Sequence, residues 1–288
     1  MISTVSVFLF FALVATAFAA SGTAYVADKQ CAEKGGTSPD TVSYSYDMTV
    51  GENGPGEWGD SEEFSTCKTG QIQSPIDFPT EVQYGMKMDG PMPNISVSDF
   101  EMSAGSFNWA LNCKESQTCG YTMFGGEKYY VLNIHMHSPS EHWLNGKQYP
   151  LEAHIVHLTP EGKPLVIATM FETYDADAYP VRVYENANML YGTNPFLKSI
   201  LNNVAKGKQE FPVHLGSIID ASKGYCSYVG SLTTPPCTEG VTFMMAQKVQ
   251  MMNPKQAREY LRTAGACVDG NARPIQELNG RQVTCYIK

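Results

Sequence analysis

The sequence predicts a mainly β (mixed α+β) single domain: a mostly antiparallel central sheet with a few short helices at its periphery. Three observations carry that prediction. Short apolar runs punctuated by Gly and Pro recur after about residue 60, the pattern of many short strands. No strand–helix–strand rhythm accompanies them, so a parallel α/β sheet is not indicated. Only two segments carry helix-start chemistry. With 288 residues, 43% of them hydrophobic, the chain can bury one large core.

The N-terminus opens with an apolar stretch, Val5 to Ala20, that ends in Ala17-Phe18-Ala19. It is too short for a comfortable transmembrane span and carries a small-x-small cleavage pattern, so residues 1–20 are expected to be a signal peptide. Residues 21–40, small and polar, are expected to be a mobile lead-in, and residues 41–288 the folded domain. The segment at 51–60, Gly-Glu-Asn-Gly-Pro-Gly-Glu-Trp-Gly-Asp, is turn-rich. The clearest strands are Tyr129–His137, Leu151–Leu158, Leu165–Phe171 and Val241–Val249. One helix starts where Asn194 caps Pro195, placing Phe196, Ile200, Leu201 and Val204 on one face before Gly207. A second starts at Asn253-Pro254 and runs to about Thr263.

Eight cysteines, an even count behind a signal peptide, fit an oxidising compartment with disulfides: Cys31, Cys67, Cys113, Cys119, Cys226, Cys237, Cys267 and Cys285. No Cys-x-x-Cys pair points to a thiolate metal site. Their connectivity does not follow from spacing. The net charge is −9, which argues against nucleic acid or an anionic membrane as partner.

Five of the six histidines fall between 135 and 157. In Val-Leu-Asn-Ile-His-Met-His, side chains two apart share a strand face. Asn133, His135 and His137 therefore project together, while Leu132, Ile134 and Met136 face the core. In the next strand, Glu152, His154 and Val156 share a face. Asn145-Gly146 between the strands is a strong two-residue hairpin signal. If Leu144 pairs with Lys147, partner numbers sum to 291 and His137 lies opposite His154, with Cβ atoms ~5 Å apart. Pro139 could admit a bulge in that ladder. Three neutral imidazoles leave the fourth position of a tetrahedral Zn²⁺ open, the catalytic arrangement. His142 and His157 fit structural hydrogen-bonding roles.

These residues resemble the signature of the α-class carbonic anhydrases: His135-Met136-His137-Ser138-Pro139-Ser140-Glu141-His142, then Glu152-Ala153-His154-Ile155-Val156-His157. So do Gly230-Ser231-Leu232-Thr233-Thr234-Pro235-Pro236-Cys237-Thr238-Glu239, Gln73-Ser74-Pro75-Ile76-Asp77, and Arg273-Pro274-Ile275-Gln276 with Arg281-Gln282. The resemblance runs from about Tyr44 to Lys288. It implies a twisted sheet with one Zn²⁺ at the base of a conical cleft, and reversible hydration of carbon dioxide to bicarbonate and a proton by zinc-bound hydroxide.

Carried over by position, the resemblance makes His135, His137 and His154 the zinc ligands. Thr233 accepts from the zinc-bound hydroxide and Glu141 accepts from Thr233. Glu152, Asn133, Gln73 and His142 support the ligands. Val156, Ile167, Leu232, Val241 and Phe243 form the apolar wall for carbon dioxide, and Thr234 contacts bicarbonate. Cys67 and Cys237 match the disulfide of secreted members; Cys113 with Cys119 is suggested by proximity alone. Ser106 stands where fast members carry a proton-shuttling histidine, and serine does not titrate near neutrality. His214, the remaining histidine, is not brought to the cleft. Turnover limited by buffer-assisted proton export is the corresponding expectation, in a protein of the extracellular space or secretory lumen. A non-catalytic binding or matrix protein of the same family, and a zinc esterase, are the alternatives. Asn94-Ile95-Ser96 matches an N-glycosylation sequon.

Overall fold

The computed structural model describes residues 44–48, 51, 53–79, 83–84, 92–95, 97–105, 107–173, 193–219, 224–264 and 270–286. The expected signal peptide and lead-in, Cys31, Cys267, Ser96 and Ser106 lie outside these residues.

Sixteen strands and three α-helices are present among the described residues. The first strands are β1 (Asp77–Phe78), β2 (Gln83–Tyr84), β3 (Met92–Asn94), β4 (Val97–Ala104), β5 (Trp109–Cys113) and β6 (Tyr121–Phe124). The middle of the chain supplies β7 (Glu127–His137), β8 (Trp143–Leu144), β9 (Lys147–Gln148), β10 (Leu151–Leu158) and β11 (Pro164–Thr173). There follow β12 (Glu210–His214), β13 (Tyr225–Ser231), β14 (Glu239–Ala246), β15 (Gln250–Met252) and β16 (Thr284–Tyr286). The helices are α1 (Thr66–Thr69), α2 (Pro195–Ala205) and α3 (Pro254–Ala264). Thirteen strands form one sheet with the central order β12-β4-β5-β7-β10-β11-β14-β13-β16-β2, and β1, β8 and β9 form a second. Most pairs are antiparallel; β11–β14, β11–β15, β16–β2 and β1–β8 are parallel.

The helices start where the caps predict. Asn194 Oδ1 accepts the N–H groups of Phe196 and Leu197, and Asn253 Oδ1 accepts that of Lys255. Both side chains satisfy donors that the first helical turn leaves open. The strand expected over Val241–Val249 ends at Ala246; a bend follows, and Gln250–Met252 pairs separately with β11.

The large sheet packs apolar side chains on both faces. On one face Ile134, Met136, Ala153, Ile155, Leu165, Ile167 and Phe171 join Phe196, Leu197, Ile200 and Leu201 of α2 and Ala257 and Tyr260 of α3. On the other, Val166, Ala168, Met170, Val241, Phe243 and Met245 pack with Tyr228, Ile76 and Phe78. Alternation along each strand assigns these faces. Leu132, expected in the core, is instead 42% exposed. Asn133 pairs with Val156 and Val131 with His157, so Leu132 is the extra residue of a β-bulge. The bulge lets both Val131 and Ile134 face the core.

The expected register between β7 and β10 also needs correction. The Asn145-Gly146 turn forms as predicted, with Leu144 opposite Lys147 and Trp143 opposite Gln148. Further down, His135 lies opposite His154 and His137 opposite Glu152, so partner numbers sum to 289, not 291. Between these two ladders, five residues (138–142) on one arm face three (149–151) on the other. The two additional residues shift the register without changing which face any side chain takes, because strand periodicity is two.

Candidate metal centre

His135, His137 and His154 converge on one face of the sheet. One potential ligand atom from each lies within 4.8 Å of the others. His137 and His154 are buried and His135 half-buried.

The outer partners decide which nitrogen each ring has to spare. Nδ1 of His135 lies 3.1 Å from Asn133 Oδ1. Nδ1 of His137 lies 2.7 Å from the main-chain carbonyl of Asn271. Nε2 of His154 lies 2.8 Å from Glu152 Oε1. Each partner is an acceptor, so each of these ring nitrogens carries the proton and donates. The lone pairs then fall on His135 Nε2, His137 Nε2 and His154 Nδ1. His137 Nε2 is buried and has no hydrogen-bond partner. A buried polar atom without a partner requires an explanation, and a metal ion on three neutral imidazoles supplies one. Protonation favours the same reading. Burial, and then the neighbouring histidines, hold His135 well below its ordinary pKa; burial lowers His137 too. Burial acts in the same direction on His154, but the charge and hydrogen bond of Glu152 outweigh it and raise that pKa. The second proton of His154 would sit on Nδ1, so proton and metal compete for that atom.

Glu152 is the anchor of this arrangement. It is fully buried, and its Oε2 accepts the main-chain N–H groups of Glu141 and His142, both at 2.8 Å. Its Oε1 accepts from His154 and, at 2.7 Å, from Nδ1 of His142. Burial alone would raise its pKa; the two imidazoles reverse this and hold it well below the usual carboxylate range. Because His142 Nδ1 donates, His142 Nε2 accepts from the Tyr228 hydroxyl at 2.7 Å. The Tyr228 hydroxyl then accepts from Ser74 Oγ at 2.7 Å. Ser74 Oγ accepts the Ser231 N–H, and Ser231 Oγ accepts the Ser74 N–H. A buried chain of hydrogen bonds whose donors all point toward Glu152 thus links His154 to the strand end that precedes Thr233. The grouping of His142, Glu152 and His154 is therefore spent on hydrogen bonds and is not a second metal site.

Glu141 is fully buried beside the triad. Its Oε1 accepts the Arg273 N–H at 3.1 Å. Its Oε2 has no hydrogen-bond partner and lies 3.3 Å from His137 Nε2 and 3.9 Å from His154 Nδ1. The expected hydrogen bond from Thr233 to Glu141 is thus not formed in this arrangement; Thr233 itself is buried. The loop that carries it is tied across its base. Leu232 N–H donates to the Thr238 carbonyl, Cys237 N–H donates to that of Thr234, and Cys237 is disulfide-bonded to Cys67. Thr234 is half-buried. Gln73 has no hydrogen bond to a histidine among the described residues. Its amide donates to the Cys237 carbonyl and Glu239, and its Oε1 accepts from Arg273.

The apolar wall is corrected at one position. Ile167 pairs with Ile155 and belongs to the opposite face; Val166, which pairs with Val156, is on the face of His154. Val241 and Phe243 are on that face and buried, Val156 is partly buried against them, and Leu232 is 38% exposed. The Phe243 ring lies 5.8 Å from that of His154. His157 is buried on the other side, bonded to Thr122, and His214 is exposed on β12, the strand at one end of the sheet order.

Asn271, Tyr228 and Ser231 were not singled out by sequence reasoning. Asn271 acts on His137 through its carbonyl, 134 residues away, and any residue type supplies a carbonyl. Cys113–Cys119 and Cys226–Cys285 are the other disulfides among the described residues; the second joins facing residues of β13 and β16.

Residues 53–287 match the family model described as eukaryotic-type carbonic anhydrase. A carbonic anhydrase of Neisseria gonorrhoeae is 33% identical over 240 residues, covering 81% of this chain and 85% of that protein. One of Klebsiella pneumoniae is 31% identical over 255 residues, covering 85% and 93%. Among solved structures, dioscorin complexed with ascorbate superposes with a TM-score of 0.73 at 27% identity, covering 86% of this chain and 99% of that one. The α-carbonic anhydrase of Photobacterium profundum gives 0.66 at 28% identity, covering 84% and 99%.

Proposed function

This chain belongs to the eukaryotic-type carbonic anhydrase family, and from that premise we propose that it catalyses the reversible hydration of carbon dioxide to bicarbonate and a proton with one Zn²⁺ on His135, His137 and His154. The observation that carries this reading is the set of three outward hydrogen bonds, to Asn133, Asn271 and Glu152, which leaves three convergent lone pairs. When bound, the ion supplies Lewis acidity that brings the pKa of a water molecule to about 7, making hydroxide available at neutral pH.

The chain's own residues direct the rest. A Thr233 hydroxyl that donates to Glu141 can only accept from the attacking group, which turns an oxygen lone pair toward the substrate. Arg273 N–H occupies the far oxygen of Glu141, which leaves Oε2, unpartnered in this arrangement, as the oxygen that the Thr233 hydroxyl would have to reach. Val156, Val166, Leu232, Val241 and Phe243 offer an apolar wall to an uncharged, apolar substrate, and Thr234 offers a hydroxyl to bicarbonate. The product proton must reach buffer. With Ser106 at the shuttle position, its export limits turnover. The disulfides fit secretion into an oxidising compartment, and no helix among the described residues is long and apolar enough to cross a membrane.

A second reading, a binding protein without hydratase activity, draws support from the likeness to dioscorin. One experiment separates the two: stopped-flow carbon dioxide hydration by protein of known zinc content, before and after a chelator. Chelator-sensitive hydration supports the enzyme; stoichiometric zinc without hydration overturns it in favour of the second reading.

A further inference from the structure

The strand β7 carries two of the three histidines, yet β5 stops pairing with it before reaching them. The last β5–β7 pair toward the site is Leu111↔Ile134. Beyond it, the main-chain carbonyl of Met136, the residue between His135 and His137, accepts from side chains. Asn108 Nδ2 donates to it at 2.9 Å, Asn271 Nδ2 at 3.1 Å, and the Tyr260 hydroxyl also points at it. Tyr260 comes from α3 and is completely buried. Its hydroxyl lies 2.8 Å from Asn108 Oδ1 and accepts from Asn271 Nδ2 at 3.0 Å.

Asn271 is what connects this cluster to the ligands. Its Oδ1 accepts the Ser138 N–H at 2.9 Å, and its main-chain carbonyl accepts from His137 Nδ1. The residue is fully buried, and none of its side-chain capacity is idle. Among the cluster's three side chains, Tyr260 is the one that touches both of the others, Asn108 and Asn271, as well as the Met136 carbonyl.

The geometry points to Tyr260 as a positioning residue for the metal centre, its hydroxyl closing a side-chain clamp on the peptide between His135 and His137 and holding Asn271 against His137. This rests on the reading of the three histidines as zinc ligands. The clamp takes over at the point where β5–β7 pairing ends, and it fixes the backbone from which two ligands project. The aromatic ring is a separate matter. It packs edge-on against Trp109, centroids 5.5 Å apart, and a phenylalanine would keep that contact.

The test is Tyr260→Phe in the zinc-loaded full chain, with zinc release to an excess of chromogenic chelator as the readout. Partners that orient metal ligands typically change affinity 10–100-fold, so release is expected to accelerate roughly 10-fold or more. Thr263→Ala is the control. It removes a hydroxyl on the same helix that accepts from Trp109 Nε1 at 3.2 Å and donates to the main-chain carbonyls of Glu259 and Tyr260, but has no hydrogen bond to the Tyr260 hydroxyl, Asn108, Asn271 or the Met136 carbonyl. It is expected to leave release within about twofold of wild type, even where it lowers the melting temperature. Release from Tyr260→Phe within twofold of wild type overturns the proposal, and so does equal acceleration by Thr263→Ala. A wild-type chain that takes up no stoichiometric zinc overturns the ligand reading itself, and that result is visible before any variant is compared.

Discussion

Replacing Glu152 with glutamine removes one charge and almost no volume. The carboxylate accepts four N–H donors, two on each oxygen. A glutamine can turn its single carbonyl oxygen toward only one pair; its amide N–H₂ then confronts the other. Two hydrogen bonds to a charged acceptor are lost, each worth about 1.5–3 kcal/mol. Removing one partner from a buried ionic cluster costs about 3–5 kcal/mol, so the two estimates agree. The metal is affected through His154, which loses the acceptor that fixes its proton on Nε2 and keeps Nδ1 free. Zinc affinity is expected to fall about 10–100-fold. The pH sign follows from the depressed pKa. The carboxylate contributes stability above its ordinary value near 4.5, and loses it as pH falls through the lower folded value. The full difference is therefore present at pH 7. Urea unfolding of zinc-free wild type and Glu152→Gln, with competitive zinc titration of both, measures the two quantities. Unfolding free energies within about 0.5 kcal/mol, together with zinc affinities within threefold, would refute the argument that Glu152 sets the His154 tautomer.

Three further outcomes are expected. Gly270 has φ +83°, and a Cβ there would lie 1.9 Å from the Ser138 carbonyl oxygen. Gly270→Ala is therefore expected to cost about 2 kcal/mol or more and to weaken zinc binding, since the adjacent Asn271 must move; an unchanged melting temperature and zinc affinity would contradict this. His157 is held by burial at a pKa of about 4, below its ordinary 6.5. The unfolded chain binds that proton first, so stability is complete above about pH 6.5 and declines as pH falls toward 4. The loss is about 2 kcal/mol at pH 5, and His157→Gln should flatten this part of the wild-type unfolding profile. Finally, hydration rates are expected to rise with imidazole buffer, and Ser106→His to raise turnover at low buffer; wild-type turnover already high and flat across buffer concentrations would exclude proton-export limitation.

Strand faces could be read from the sequence because side-chain alternation is local. Asn133, His135 and His137, like Glu152 and His154, needed only period-two counting, and the helix caps needed only Asn-Pro. Register was harder. It depends on how many residues lie on each arm between two ladders; Pro139 signals that the ladder can be interrupted, but residue type does not give the two additional residues of Ser138–His142. The bulge at Leu132 was missed because one extra residue inverts every assignment beyond it, while Ile167, carried over from the resemblance, sits one position off in a regular ladder. Contacts made by main-chain groups leave no trace in residue type. The carbonyl of Asn271 and the N–H of Arg273 are visible only after folding, although the Arg-Pro-Ile-Gln block lay beside them.

The partnership between His137 and the Asn271 carbonyl also orders events in time. A ribosome delivers the three histidines well over a hundred residues before it delivers the acceptor that fixes one of them. Until the segment around Gly270 to Arg273 has emerged and closed, His137 can choose either tautomer and Glu141 lacks the N–H on its Oε1. The centre as arranged therefore exists only once that segment is in place. If the three histidines hold zinc as proposed, tight capture would report that this later segment has docked.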